Sequence, residues 1–364
     1  MAITRIGNPA IADQRGINFR NIIINGDMSQ AQRGTSSTGI TGGGYYTVDR
    51  FHINMNGLGT WTQSQSTDVP TAQGFAKSLK MDCTTANASP SADEYLVIET
   101  KFEGQNLQYL KKGTSSAKSL TLSFWIKSSK TGDFVAEIDD NDNSRHINKL
   151  YTINSANTWE KKIITYAGDT SGTLDNDNNH SLRVMFWFGS GTTHTGSPLQ
   201  TSWGPQNNTA RADGCNNMAD STSNEFYITG VQLEAGQVAS DFEFLPYDVN
   251  YTRCLRYFVR RERPENGSDQ TTIGTGTYNS TTEIFPLLTV HTPMRAEPSV
   301  SYSDLSHFDI EPFDAAPTTI EAGVQSTSFQ PVLRVIDPSA RTKGFCCNLV
   351  IDVNGGFLDL SAEL

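Results

Sequence analysis

Apolar and polar positions alternate with a period of two over most of the chain, in runs that are short. The clearest is SLTLSFWIK at residues 119–127, where Leu120, Leu122, Phe124 and Ile126 share one face and Trp125 points to the other. Similar strand signals occur at 20–24, 45–53, 59–65, 75–83, 95–102, 134–138, 146–153 and 160–166. The run LRVMFWF at 182–188 is apolar on both faces, which predicts a central strand. Residues 107–112 suit a short helical turn. Turn residues such as Asn25-Gly26-Asp27 and Gly42-Gly43-Gly44 punctuate the runs. Short strands, frequent turns and no sustained helical period predict an all-β sandwich, with the jelly roll as its commonest closure.

The closing strand of this sandwich is read at 225–233, with Phe226, Ile228, Val231 and Leu233 on one face and Gly230 placed where a bulge fits. Ala235-Gly236 breaks it. Phe242, Phe244 and Leu245 then stand just before Pro246, as an aromatic clamp tucked over an edge. A second apolar run opens with Cys254, Leu255, Tyr257 and Phe258. Strand signals near 254–261, 281–292, 299–302, 331–335, 344–353 and 357–360 predict a second, smaller antiparallel β-domain. Residues 1–19 have no such periodicity and read as a short extended arm. The predicted organisation is therefore an arm at 1–19, a jelly roll at 20–247 and a second β-domain at 248–364. Residues 189–223 form a long Gly-, Thr-, Ser- and Asn-rich excursion, and a loop of that length is either functional or pinned by a neighbour.

Composition narrows the function classes. At 364 residues the chain exceeds a single core, and only 18% of its residues are charged, with 30 glycines. A net charge of -11 argues against wrapping nucleic acid and favours a neutral or polar partner. Residues 1–20 lack the apolar segment of a signal peptide, and no run is long enough to span a bilayer, so synthesis in a cytoplasm without membrane insertion is expected. The five cysteines, Cys83, Cys215, Cys254, Cys346 and Cys347, show no metal spacing and read as reduced structural residues. The six histidines show no ligand or triad spacing, and no GxSxG, HExxH or P-loop is present. Nor is there a stacked repeat of the parallel β-helix kind. Binding without catalysis is the expectation. The acidic run Asp139 to Asp142 has oxygen ligands but no EF-hand spacing, and reads as a solvated hairpin tip, so no cofactor is expected.

Three phrases carry a family resemblance. GVQLEAGQVASDFEFLPYDVNYTRCLRYF at 230–258 resembles the end of a jelly-roll domain found in bacteriophage tail-fibre and virion-surface proteins. NGDMSQAQRG at 25–34, followed by YTVDRF at 46–51, looks like the opening of the same domain, and LDLSAEL at 358–364 like a common ending of such proteins. The resemblance implies a location on the phage particle, docking of the arm onto tail, portal or capsid proteins, and a homotrimer. It also implies recognition of host surface polysaccharide or lipopolysaccharide during adsorption. A capsid decoration or head-spike role without essential sugar binding is the alternative, and a polysaccharide depolymerase a second one. Related carbohydrate-binding jelly rolls often hold a structural calcium through acids after the opening strand and in the closing strand. Here Met28 and Thr229-Gly230 stand at those places.

Sugar binding on such a fold needs flat aromatic faces flanked by polar side chains that match hydroxyl geometry. Trp203, in its polar loop, is the first candidate, followed by Trp61, Tyr45, Tyr46, Trp187 and Tyr151. Trp125 and Trp159 read as core residues instead.

Overall fold

The computed structural model describes residues 19–265 and 269–364; the predicted arm, apart from Phe19, lies outside them. The chain divides into two compact units, Met1–Leu245 and Pro246–Leu364. Among the described residues of the first, the strands are β1 (Ser36–Gly44), β2 (His52–Ser66), β3 (Ser78–Thr85), β4 (Tyr95–Glu103), β5 (Leu120–Ser128) and β6 (Gly132–Asp140). They continue as β7 (Arg145–Ile153), β8 (Glu160–Tyr166), β9 (His180–Ser190), β10 (Gly204–Pro205) and β11 (Glu225–Ala235). Short 3-10 turns at Gly104–Asn106 and Gln108–Leu110 stand near the helical turn expected at 107–112.

Hydrogen bonding runs β10-β7-β6-β9-β4-β2-β3-β11-β5-β8, with β1 also on β2. The long β2 belongs to two sheets. Its residues His52 to Gly57 pair with β4, and Thr60 to Ser66 pair with β3. Gly57 and Gly59, both with positive φ (62° and 75°), sit at the switch, where a side chain would strain the bend. The two halves face each other through apolar rows. Phe188 of β9 stacks on Phe226 of β11 at 3.7 Å between ring centroids, and Phe124 of β5 meets Phe186 of β9 at 5.0 Å. The result is an antiparallel sandwich of jelly-roll type.

β11 carries the bulge: its register against β5 shifts between Thr229 and Gln232. At φ +60° a Cβ on Gly230 would lie 2.5 Å from the Phe75 ring, so only glycine fits. That ring is the anvil of the aromatic clamp, since Phe75 meets both Phe242 and Phe244 at 5.1 Å. The segment after β11 is stapled by side chains: Gln232 Oε1 accepts from the Glu243 amide, and Glu234 accepts from the amide and hydroxyl of Ser240.

The opening phrase is equally structural. Asn25 Nδ2 donates to the carbonyls of Gln30 and Asp49, and Asn25 Oδ1 accepts from the Gln30 amide. Asp49 accepts from the Gln32 amide and side chain. Residues 20–24, predicted as a strand, run beside β11 without joining the sheet. Asn21 is the reason, because its side chain takes the places of backbone partners by donating to the Val231 carbonyl and accepting from the Ile23 and Leu233 amides. Residues 45–51 are likewise a turn, so the predicted strand at 45–53 begins only at His52.

In the second unit the apolar run at 254–258 splits into a helix α1 (Tyr247–Leu255) and a strand β12 (Phe258–Glu262). Asp248 in the first turn and Arg253 in the last match the helix dipole. The remaining strands are β13 (Thr271–Thr277), β14 (Glu283–Ile284), β15 (Ser299–Tyr302), β16 (Phe308–Glu311), β17 (Thr319–Ala322), β18 (Leu333–Ile336), β19 (Cys346–Ile351) and β20 (Phe357–Ser361). Among the described residues they form, with β12, three three-stranded antiparallel sheets, β12-β20-β15, β13-β19-β16 and β14-β18-β17. The predicted strand at 281–292 shrinks to Glu283–Ile284 because Pro286 cannot donate to a ladder.

All five cysteines are free. Burial pushes the thiols of Cys83 and Cys347 up to about 11 and that of Cys215 to about 12, which keeps them protonated and unreactive at neutral pH.

Candidate functional site

Three of the six candidate aromatics are buried. Trp61 is 0% exposed on the inward row of β2, donating Nε1 to the Leu58 carbonyl at 2.8 Å. Tyr151 lies in the same core against Phe124. Trp187 points to the opposite face of its sheet but is also covered, and donates to Glu137 Oε2 at 2.7 Å. None of these three presents a face to a ligand, which corrects the expectation. Trp203 is half-buried, donates to the Ala167 carbonyl and packs against the sandwich with the Lys112 ammonium 5.3 Å from its ring centroid. Tyr46 is half-buried and bonds back to the Gly42 carbonyl, while Tyr45 lies against His52 at 4.8 Å. Trp125 and Trp159, expected in the core, are partly exposed on the outer face of β5 and at the start of β8. Their positions are out of phase with the inward rows. Trp159 donates to Asp68 and meets Tyr227.

The excursion 189–223 is pinned. It crosses the outer face of β6, β7 and β9, adds β10 to the edge of β7, and seals a small apolar cluster of Val97, Val135, Met185, Trp187 and Ala212. Asn148 holds it by donating to the carbonyls of Ala210 and Arg211. Arg211 enters the sheet face itself. Its Nη2 reaches Glu137 Oε1 at 2.7 Å and Asp139 Oδ1 at 3.4 Å, and its guanidinium lies over the Trp187 ring. The first half of the acidic run, Asp139 and Asp140, is therefore buried rather than solvated, while Asn141 and Asp142 lie in the turn between β6 and β7. Asp139 also binds Arg183, and Asp140 pairs with the buried Lys112, whose ammonium further meets Asp169. Protein cations fill the role a metal would take there. Among the described residues no His, Cys, Asp and Glu side chains are grouped to hold an ion. The calcium implied by the resemblance does not fit its expected place either: Met28 is fully buried, and the Thr229 hydroxyl donates to the Lys77 carbonyl.

Beside the covered half, the same sheet face stays partly open over β2, β4 and the start of β9. Its outward row is His52 and Asn54 from β2, Tyr95, Glu99 and Lys101 from β4, and Arg183 from β9. Glu99 is the hub, 1% exposed. It receives His52 Nδ1 at 3.1 Å, Asn54 Nδ2 at 3.3 Å and Arg183 Nη1 at 3.2 Å, with Lys101 Nζ at 3.5 Å. Tyr95 completes the row by donating its hydroxyl to Asn54 Oδ1 at 2.8 Å. Burial alone would raise the Glu99 carboxyl, but the His52 bond and the charges of Arg183 and Lys101 outweigh it and hold the group at about 2. Glu99 is thus ionised, so His52 Nδ1 is the donor between them. Nearby, burial and the charges of Arg183, Lys101 and Arg50 hold the His180 imidazole down at about 4, keeping it neutral.

A depressed carboxylate contributes stability that is fully present above its ordinary value of 4.5 and is lost as pH falls through about 2. The difference corresponds to about 3 kcal/mol for this buried group. Between pH 4.5 and pH 2 the wild type is expected to lose that much more unfolding free energy than Glu99→Gln, measured by denaturant titration. Parallel losses in the two proteins would show that Glu99 is not the hub.

The sequence signal for this row is charge inside apolar strands. Glu99 and Lys101 interrupt the apolar LVIETKF, and Arg183 interrupts LRVMFWF; a lone charge in a central strand has to face something polar. Of the candidate aromatics, Tyr45 borders the open row at His52, and the buried Trp187 touches it from the covered side through Tyr95.

No family model matches the chain, and no curated protein matches it. Several solved structures are similar in part. One is the enzymatically active domain of bacteriophage CBA120 tailspike protein 4, at 12% identity and a TM-score of 0.32, covering 60% of this chain and 22% of the tailspike chain. Another is the family 11 carbohydrate-binding module of Clostridium thermocellum in complex with a β-1,3-1,4-mixed-linked tetrasaccharide, at 13% identity and a TM-score of 0.29, covering 56% of this chain and 98% of the module. A third is TmCBM61 in complex with β-1,4-galactotriose, at 7% identity and a TM-score of 0.30, covering 59% and 99%. The chain spans about a fifth of the tailspike chain it matches. Likenesses at these scores carry no functional weight, and the reading of function rests on the side chains above.

Proposed function

We propose that the chain is a non-enzymatic surface protein of a bacteriophage particle that binds host surface glycan through the open half of the first unit's sheet. The arm at 1–19 attaches it to other virion proteins, and a homotrimer would let several weak sites act together. The observation that carries the glycan reading is the row of His52, Asn54, Tyr95, Lys101 and Arg183, held in register by the buried Glu99 and bordered by Tyr45. Rigid strands, planar polar side chains and a bordering aromatic are what sugar recognition requires. The test is binding of the purified chain to host envelope polysaccharide, with Asn54→Ala and Tyr45→Ala as variants. Each is expected to weaken binding about tenfold, the scale of one lost polar or stacking contact. Unchanged binding in both would remove the site, and new reducing ends in the polysaccharide would turn the reading to depolymerase.

A structural decoration role is the second reading. What favours it is Val324, 89% exposed, and Phe329, 74% exposed, on the loop between β17 and β18 of the second unit. Exposed apolar side chains set close in sequence suit contact with another protein.

A further inference from the structure

The charge on the open face is layered. The acids are at the bottom: Glu99 is 1% exposed, and Asp139 and Glu137 are fully buried. The cations stand above them, with the Lys101 and Arg183 side chains 17% and 19% exposed. Lys101 and Arg183 are also direct cross-strand partners between β4 and β9. Glu99, in contact with both, offsets their mutual repulsion from below. Arg183 is oriented in advance, because Nε is committed to Asp139 at 2.8 Å and Nη1 to Glu99 at 3.2 Å. Its Nη2 has no partner among the described residues and lies in the same rigid fork.

Donor and acceptor counting points the same way. Lysine and arginine can only donate, and the Asn54 carbonyl already accepts one bond from Tyr95. The facing group should therefore accept, and a carboxylate or phosphate does so more strongly than a hydroxyl because the bond is charge-assisted at both ends. At the other end of the row, His52 donates Nδ1 to Glu99, which leaves Nε2 as an acceptor when the ring is neutral. That position suits a sugar hydroxyl.

We infer that the ligand of this face is an acidic saccharide, with its carboxylate or phosphate against Arg183 and Lys101 and a hydroxyl against His52. This rests on the glycan-binding reading above. The net charge of -11 does not oppose it, because charges farther away than about 8 Å are largely screened at physiological salt.

The experiment is calorimetry on the full chain with three probes: an α-1,4-linked galacturonic acid oligomer, the neutral galactose oligomer of equal length, and a mannose oligomer carrying a terminal phosphate. An acidic probe is expected to bind about tenfold more tightly than the neutral one, with the advantage shrinking as salt is raised. Binding by the galacturonate alone assigns a carboxylate, and binding by the phosphorylated probe alone assigns a phosphate. Arg183→Gln should erase the advantage and Arg183→Lys should keep most of it. The salt response of the wild type gives the same answer without any variant, should Arg183→Gln fail to fold. Equal binding of the acidic and neutral probes, with no salt dependence, overturns the inference and leaves the glycan reading standing. Binding of none of them overturns the inference, and the glycan reading is then decided by the host polysaccharide assay.

Discussion

Arg211→Ala is expected to destabilise the first unit by about 3 kcal/mol or more, the cost of leaving buried carboxylates without their cation. Two acids lose a partner at once. Glu137 and Asp139 are fully buried, and Arg211 Nη2 lies within ion-pair distance of both. Glu137 keeps His146 and Trp187, and Asp139 keeps Arg183 and Gln206, which holds the loss below that of a fully orphaned pair. The loss is also mechanical. Arg211 anchors the excursion over Met185 and Trp187, so without it water reaches the sealed cluster.

Denaturant unfolding reads the first effect, and the red shift of tryptophan emission in the folded protein reads the second. Pairing Arg211→Ala with Glu137→Gln should recover part of the loss, since the second change removes a charge the first left buried. A cost under about 1 kcal/mol, the range of an exposed ion pair, would mean that the excursion does not sit on the sheet as described.

The strands of the sandwich were legible wherever one face was apolar and the other polar, as in β5, because burial enforces period two. β1 was not legible. Its sequence SSTGITGGG buries only Ile40, so its membership comes from backbone bonding to β2 rather than from side chains. Residues 20–24 erred in the other direction: NIII has the apolar signal, yet Asn21 supplies hydrogen bonds that a ladder would otherwise provide. α1 was not legible, and the strand signal near 254–261 ran into its last two residues, because nine residues with a short apolar segment do not resolve the two periods. For the site, three of the six candidate aromatics, Trp61, Trp187 and Tyr151, are buried. A tryptophan's exposure depends on its phase within the strand, and the irregular stretch of β2 at Gly57 and Gly59 comes just before Trp61. Charges trapped in apolar strands would have led to Glu99, Lys101 and Arg183 directly.

Trp61→Ala is expected to cost the first unit about 3–5 kcal/mol, the range for truncating a large buried aromatic, while leaving glycan binding by the protein that remains folded unchanged. Trp61 sits just past the point where β2 leaves one sheet for the other, with its ring edge on Phe226, itself stacked on Phe188 across the sandwich. Removing it opens a cavity between the sheets. It also deprives the Leu58 carbonyl of its bond from Nε1 in a region with no exposure. Trp203→Ala makes the comparison sharp. That ring is half-buried at the margin, so its loss should cost about 1–2 kcal/mol, less than any core tryptophan. Unfolding midpoints of the two variants, and polysaccharide binding at a temperature where both are folded, separate the roles. If Trp61→Ala kept its stability within about 1 kcal/mol and lost binding, the ring would be a ligand platform and its place between the sheets would be wrong. The expected outcome, stability lost and binding kept, places recognition on the open row of β2, β4 and β9 and leaves Trp61 to hold the two sheets together beneath it.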